Sequence, residues 1–229
     1  MYVEAQPAGD ADLASVGALL AEPARTKVLL ALSDGRALPA TMLAAEAGVT
    51  ASTASHHLAR LVDGGLISVA ARGRHRYYAL AGADVAELLE AVARVAPARP
   101  VTSLREGTRA HALRYARRCY DHLAGRLGVA VAETLERHGY VVTDAAFTVT
   151  DVGAARLSDL GIDARAGETA RACRDWTEQG SHVAGPLGRA LLNGFLERGW
   201  LERDAKTRAL HLTSAGESAL PVELGVPLP

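Results

Sequence analysis

The chain has 229 residues, 49% of them hydrophobic and 22% charged, so it can bury real cores and is not a disordered polymer. A formal net charge of −1 excludes a uniformly basic coat for nucleic acid, though not a local basic patch. Aromatic residues make up only 4%, so the cores must be built from Ala, Leu and Val, and the length suits two or three small domains. Two cysteines, Cys119 and Cys173, are too few for a disulfide scaffold at this size. No run of about 18 apolar residues occurs, and the opening MYVEAQPAGDADLASV has neither a basic nor an apolar leader character, which predicts a cytoplasmic protein that avoids membranes.

In chain order, Asp10 to Ala21 is predicted as an Ala- and Leu-rich helix, and Pro23 opens a second one that Gly35 stops. Val28, Leu29 and Leu32 give the second helix its inner face. A third helix is expected from Leu38 to Ala47, ended by Gly48. Thr50 then caps a fourth, ASTASHHLARLVDGG, in which Leu58, Leu61 and Val62 fall on one side. Leu66–Val69 and Tyr77–Leu80 read as strands joined by an Arg72-Gly73-Arg74 turn, and helix resumes from Ala83 to Ala96. The stretch APARPVTS reads as a linker.

Beyond that linker the chain repeats itself. HLAGRLGVAVAETLERHGY from His122 matches HVAGPLGRALLNGFLERGW from His182, glycine for glycine and with Tyr140 against Trp200. Thr150-Asp151-Val152-Gly153 matches Thr213-Ser214-Ala215-Gly216, and upstream ARRCYD matches ARACRD, which sets Cys119 against Cys173. Each repeat is predicted as a helix, a short strand pair and a helix entered through a Thr/Ser-x-x-Gly turn. Two such winged-helix-like units can share one core across a pseudo-twofold.

A helix-turn-helix needs small or polar residues near the start of its second helix, where they approach base edges. LPATMLAAEAGVTASTASHHLARL meets this: Gly48 makes the turn, Thr50 caps, and Ser52, Thr53, Ser55, His56, His57 and Arg60 supply the polar face. The hairpin that follows carries Arg72, Arg74, His75 and Arg76, which suits a wing laid against phosphates. Here the chain resembles the ArsR/SmtB-type bacterial repressors over about residues 10–96, through Ser-x-His-His-Leu, Leu-x-x-x-Gly-Leu-Ile, Arg-x-Gly-Arg and Tyr-Tyr-x-Leu. The resemblance implies a homodimeric winged helix that occupies double-stranded operator DNA and is released by an inducer. It also implies dimerisation through the first helix and the helix after the wing, where Val85, Leu88, Leu89 and Val92 form an apolar stripe. The family's two metal sites are absent: LPATMLAAEAG lacks Cys and His, and ADVAELLEAVARVA lacks His.

The second half is expected to sense the signal, and three chemistries compete there. The preferred one is a small-molecule inducer in an apolar cleft between the repeats, near Tyr120, Trp176, Phe195 and Trp200. A soft metal could be held by Cys119, His122, Cys173 and His182, with Cys-x-x-His at 119 and 122 on one helix face but the Cys173–His182 spacing too loose for a known pattern. A thiol switch between Cys119 and Cys173 is the third. No P-loop, G-x-S-x-G or H-E-x-x-H occurs, and Asp121 would point away from a Cys119–His122 pair on a helix, so no enzyme is predicted.

The fold class is therefore mainly α, of the α+β type: a winged helix-turn-helix DNA-binding and dimerisation domain (1–97), a linker (98–104), repeat 1 (105–165) and repeat 2 (166–229). The predicted function is a sequence-specific DNA-binding transcriptional regulator, a dimeric repressor released by an inducer. A protein–protein adaptor built on a winged-helix scaffold is the alternative.

Overall fold

A computed structural model describes residues 10–97, 100–144 and 146–229. The opening nine residues and the linker positions 98 and 99 lie outside the described residues. Among the described residues no helix is long and apolar enough to cross a membrane. Contacts divide the chain into two units, one of residues up to 30 with 37–81, the other of 31–36 with everything from 82 onward.

The first unit holds α1 (Leu13–Leu20), most of α2 (Pro23–Leu32), β1 (Leu38–Pro39), α3 (Ala40–Ala47), α4 (Ala51–Asp63), β2 (Ile67–Arg72) and β3 (His75–Leu80). Asp12 starts α1 by accepting from Ser15 N at 3.0 Å, which satisfies one of the helix's orphan donors. Val28, Leu29, Leu43, Leu58, Leu61 and Ile67 are its buried core. The expected third helix begins two residues late. Leu38 precedes proline and is steered out of the helical region. Pro39 stands at φ −72, ψ 154, and the pair joins the sheet as β1, with Leu38 opposite Tyr78. The wing strands run further than their hydrophobic pattern suggested, to Arg72 opposite His75, which narrows the turn to Gly73-Arg74 with Gly73 at φ +60.

In the second unit α5 (Ala83–Val95) and α6 (Leu104–Tyr115) precede the repeats. The helix α5, expected to belong with the winged helix, groups with this unit and packs on its sheet. Repeat 1 is β4 (Arg117–Cys119), β5 (His122–Ala124), α7 (Arg126–Arg137), β6 (Val141–Thr143), β7 (Phe147–Val149) and α8 (Asp151–Asp159). Repeat 2 is β8 (Thr169–Arg174), β9 (Ser181–Ala184), α9 (Gly185–Glu197), β10 (Leu201–Arg203), β11 (Leu210–Leu212) and α10 (Ser214–Ala219), closed by a π-helical turn, Leu220–Leu224.

The predicted helix, strand pair and helix are present in each repeat. The Thr-x-x-Gly entries are equivalent too: Thr150 Oγ1 accepts from Gly153 N and Thr213 Oγ1 from Gly216 N, both at 3.0 Å. Each threonine hydroxyl also donates at 2.6 Å to a carbonyl of the preceding turn, Gly139 or Gly199. The sheets are exchanged: β8 pairs with β7 of the first repeat, while a bridge from Arg117 to Ala209 sets β4 beside the strands of the second. The helices are exchanged as well. A Cβ on Gly128 of α7 would lie 2.7 Å from Leu123 O and 3.5 Å from His182 Cβ; on Gly188 of α9 it would lie 2.2 Å from Val183 O and 3.0 Å from His122 Cβ. Only glycine permits that approach, and Leu127, Leu135, Phe147, Leu187, Leu192 and Phe195 fill the single core between the two halves.

Candidate DNA-reading surface and cysteine–histidine cluster

On α4 the polar residues face solvent. Thr50, Ser52, Thr53, Ser55, His56 and Arg60 are exposed and His57 is half-buried, while Ala54, Leu58 and Leu61 fill the inner side. Thr50 caps the helix, accepting from Thr53 N at 3.3 Å, and its hydroxyl lies 3.0 Å from Ser52 Oγ and 2.9 Å from Thr53 Oγ1. Ser55 donates to Ala51 O at 2.9 Å, so the exposed hydroxyls are locally satisfied and held in place. On the wing, Arg72, Arg74, His75 and Arg76 are all exposed, with the Arg72 guanidinium 5.6 Å from the Tyr77 ring centre. A polar helix start and a cationic hairpin in one unit define a winged helix-turn-helix surface.

The stripe expected at a dimer interface is partly committed within the chain. On α5, Leu89 is buried with Ala86 and Glu90, Val85 and Leu88 are half-buried, and Val92 is exposed.

The second constellation is in the repeats, and there the secondary structure corrects the expectation. Cys119 and His122 do not share a helix face; they stand opposite each other across the β4–β5 hairpin. Its two-residue turn is closed by Tyr120 at φ +54, the one positive φ outside glycine among the described residues, with Tyr120 N bonded to Ser33 O at 2.7 Å. Cys173 and His182 are cross-strand partners in β8–β9 in the same way, joined by a longer loop. The loose sequence spacing thus becomes a tight spatial one.

The four ligand atoms of Cys119, His122, Cys173 and His182 all lie within 4.8 Å of one another, and the imidazole centres are 5.1 Å apart. Cys119, His122 and His182 are buried and Cys173 is half-buried, both cysteines as free thiols. Each imidazole shows its Nδ1 to a carboxylate: His122 to Asp121 Oδ1 at 3.0 Å, His182 to Asp175 Oδ2 at 3.1 Å. Both Nε2 atoms are buried and meet no hydrogen-bond partner. The Cys119 thiol beside it, and both imidazoles, pull the Cys173 thiol down to about 2, whereas Cys119 is pushed up by holding the shared proton and by burial. Burial alone would discharge His182, but Asp175 and Cys173 outweigh it and raise its pKa.

Asp175 is the hub behind the cluster. It accepts from Gly125 N and Thr177 N at 2.8 Å and from Arg117 Nη2 at 3.0 Å. Arg117 is wholly buried, lies 5.1 Å from the Trp176 ring centre, and also reaches Glu90 of α5 at 3.4 Å. Trp176 therefore packs on a guanidinium, and Phe195 and Trp200 meet in the core as a tilted pair, 5.5 Å between ring centres. A cavity of about 90 Å³ between α5 and the hairpins is bordered by Cys119, Tyr120, His122 and Cys173. A wider concavity, about 750 Å³, is lined by Asp163, Arg165, Asn193 and Glu197 and touches none of the four.

Comparison with known proteins agrees with the first surface. A helix-turn-helix domain family matches residues 20–70. YdfF of Bacillus subtilis, an uncharacterized HTH-type transcriptional regulator, is 43% identical over 221 residues, 94% of this chain and 98% of YdfF. CmtR of Mycobacterium tuberculosis, an HTH-type transcriptional regulator, is 43% identical over 77 residues, 34% of this chain and 64% of CmtR. Among solved structures, the homodimeric winged helix-turn-helix DNA-binding domain of Mb0332 from Mycobacterium bovis, a possible ArsR-family regulator, is 34% identical. That match covers 38% of this chain and 86% of that one, with a TM-score of 0.33. The protein is a winged helix-turn-helix transcriptional regulator. It belongs to the family of HTH-type transcriptional regulators that includes YdfF.

Proposed function

We propose that this chain acts in the cytoplasm as a dimeric repressor, reading an operator with α4 and the wing and releasing it when an effector occupies the Cys–His cluster. It works by binding and not by catalysis. The observation that carries the first part is the exposure, in one unit, of the polar start of α4 together with Arg72, Arg74 and Arg76. Such a surface supplies base-edge contacts from the helix and phosphate neutralisation from the hairpin. The second part is supported by position: α5 starts three residues after the last wing strand ends at Leu80, and it borders the cavity beside the cluster. A cavity of about 90 Å³ is small against the roughly 300 Å³ of an ordinary organic-ligand pocket, which favours a compact effector over the bulkier inducer preferred on sequence grounds.

The test is selection of duplexes from random DNA, followed by titration of the selected site by fluorescence anisotropy. Changes to Ala at Ser52, Thr53 or His56 should cost about 1–3 kcal/mol on the selected site and little on random DNA. Enrichment of no sequence at all overturns the reading.

A further inference from the structure

We propose that Cys119, His122, Cys173 and His182 form a closed four-coordinate site for a thiophilic divalent cation of the zinc–cadmium class, bound through both sulfurs and both Nε2 atoms. The donor set selects the ion. Two thiolates and two imidazoles suit borderline and soft metals, whereas magnesium and calcium demand oxygen ligands. The spacing fits as well. Bonds of about 2.0–2.3 Å give a tetrahedron with edges of about 3.3–3.8 Å, so ligand atoms no more than 4.8 Å apart need close by at most about 1–1.5 Å.

Three further features distinguish this from a chance meeting of cysteine and histidine. The Nε2 atoms are buried without partners, a cost that a metal bond would remove. Both Nδ1 atoms lie beside an aspartate oxygen, His122 hydrogen-bonded to Asp121 at 3.0 Å and His182 3.1 Å from Asp175, which leaves Nε2 as the donor toward the sulfurs. And the chemistry occurs twice: each repeat places an aspartate two residues after its cysteine, Asp121 and Asp175, and each aspartate meets a histidine of the cluster. Charge balances also. Two thiolates neutralise the ion, while Asp121 is paired with Arg189 at 2.7 Å and Asp175 with Arg117 at 3.0 Å. On loading, the one proton shared by the two sulfurs leaves to solvent, any proton on an Nε2 leaves with it, and each imidazole binds as a neutral ring with its Nδ1 toward the aspartate.

The site is tested on the full chain without DNA, so its failure is separate from failure of the regulator assignment. Protein reduced and stripped of metal is titrated with Co²⁺, Zn²⁺ and Cd²⁺. One equivalent per chain should load, with visible bands of tetrahedral Co²⁺ and an ultraviolet thiolate-to-Cd²⁺ band. X-ray absorption on the zinc-loaded wild type should count two sulfurs and two nitrogens, which needs no variant to fold. Cys173→Ser and His182→Gln should lose stoichiometric uptake. Asp121→Asn, half-buried and not a ligand, should weaken uptake by about 10–100-fold with the circular dichroism unchanged. Octahedral Co²⁺, uptake indifferent to Cys173→Ser, or a reduced protein that takes no ion and only forms a Cys119–Cys173 disulfide on mild oxidation would each overturn the proposal.

Discussion

Arg117→Met tests whether the buried charge network holds the second unit together. The guanidinium is fully buried and reaches Asp175 at 3.0 Å, Glu90 at 3.4 Å, Thr177 Oγ1 at 3.1 Å and Leu113 O at 3.3 Å. Met has similar bulk, so no large cavity opens; what is lost is the cation between two buried carboxylates. Breaking one side of a buried pair costs about 3–5 kcal/mol. The low end applies here, because Asp175 keeps its bonds from Gly125 N and Thr177 N, and Glu90 keeps Arg208 at 3.3 Å. The expected loss is about 3 kcal/mol, a fall in Tm of roughly 6–12 °C for a unit of this size. Both tryptophans, Trp176 and Trp200, lie in the second unit, so fluorescence-detected urea unfolding reports that unit alone. Adding Glu90→Gln to Arg117→Met should recover nothing and deepen the loss, because the nearly buried Arg208 then loses the carboxylate it still pairs with. A loss below about 1 kcal/mol for the single variant refutes the assignment of the network as structural.

The wing, the helix glycines and the dimer face can be tested more briefly. Arg74→Ala and Arg76→Ala should weaken binding to all DNA and reduce the slope of log affinity against log salt by about one each; an unchanged slope removes the wing from the phosphates. Gly188→Ala puts a Cβ 2.2 Å from Val183 O, and urea titration should show a loss of about 3 kcal/mol as α9 is forced off the hairpin. Val92→Glu changes a residue that is 40% exposed in the single chain, so it should leave the fold intact and yield monomers in sedimentation if α5 is the dimer face. Leu89→Glu is the poorer probe, since its side chain is already buried within its own unit.

The winged helix was legible because its signals are local. Gly48, Thr50 and the Leu58–Leu61 spacing each act within a few residues, and the structure has them as turn, cap and inner face. The internal repeat was legible because both copies kept the same glycines. The cluster's geometry was not. RRCYDHLA carries no alternation long enough to mark a strand, and its two-residue turn uses Tyr120 at positive φ where Asn or Gly would have announced a hairpin. The Cys173–His182 pair was hidden by the loop between β8 and β9, which lengthens the sequence spacing without separating the residues. Aligning the repeats did set cysteine against cysteine and histidine against histidine, and that was the available clue that all four converge.

The same alignment explains how α5 is held. Arg117 and Arg171 occupy equivalent places, two residues before their cysteines, and each pairs with a glutamate of α5: Glu90 for Arg117, Glu87 for Arg171. Residues three apart lie on one helix face, so a single side of α5 is tied to both hairpins. The two ties are unequal. Arg171 is half exposed and its pair is worth little, whereas Arg117 is buried and shared with Asp175, which also faces His182. A change of ligation at His182 therefore reaches Glu90 through three contacts, by way of Asp175 and Arg117. An effector moves α5 only if it binds one of two arrangements more tightly, and equal affinity for both moves nothing. Glu90→Gln keeps the side chain's shape and removes its charge. With Zn²⁺ or Cd²⁺ as the probe, it should leave metal uptake intact. It should shrink the ratio of DNA affinities without and with metal by about 0.5–2 kcal/mol, or roughly 2–30-fold. An unchanged ratio in anisotropy titrations would show that the signal does not travel through Arg117 and Glu90.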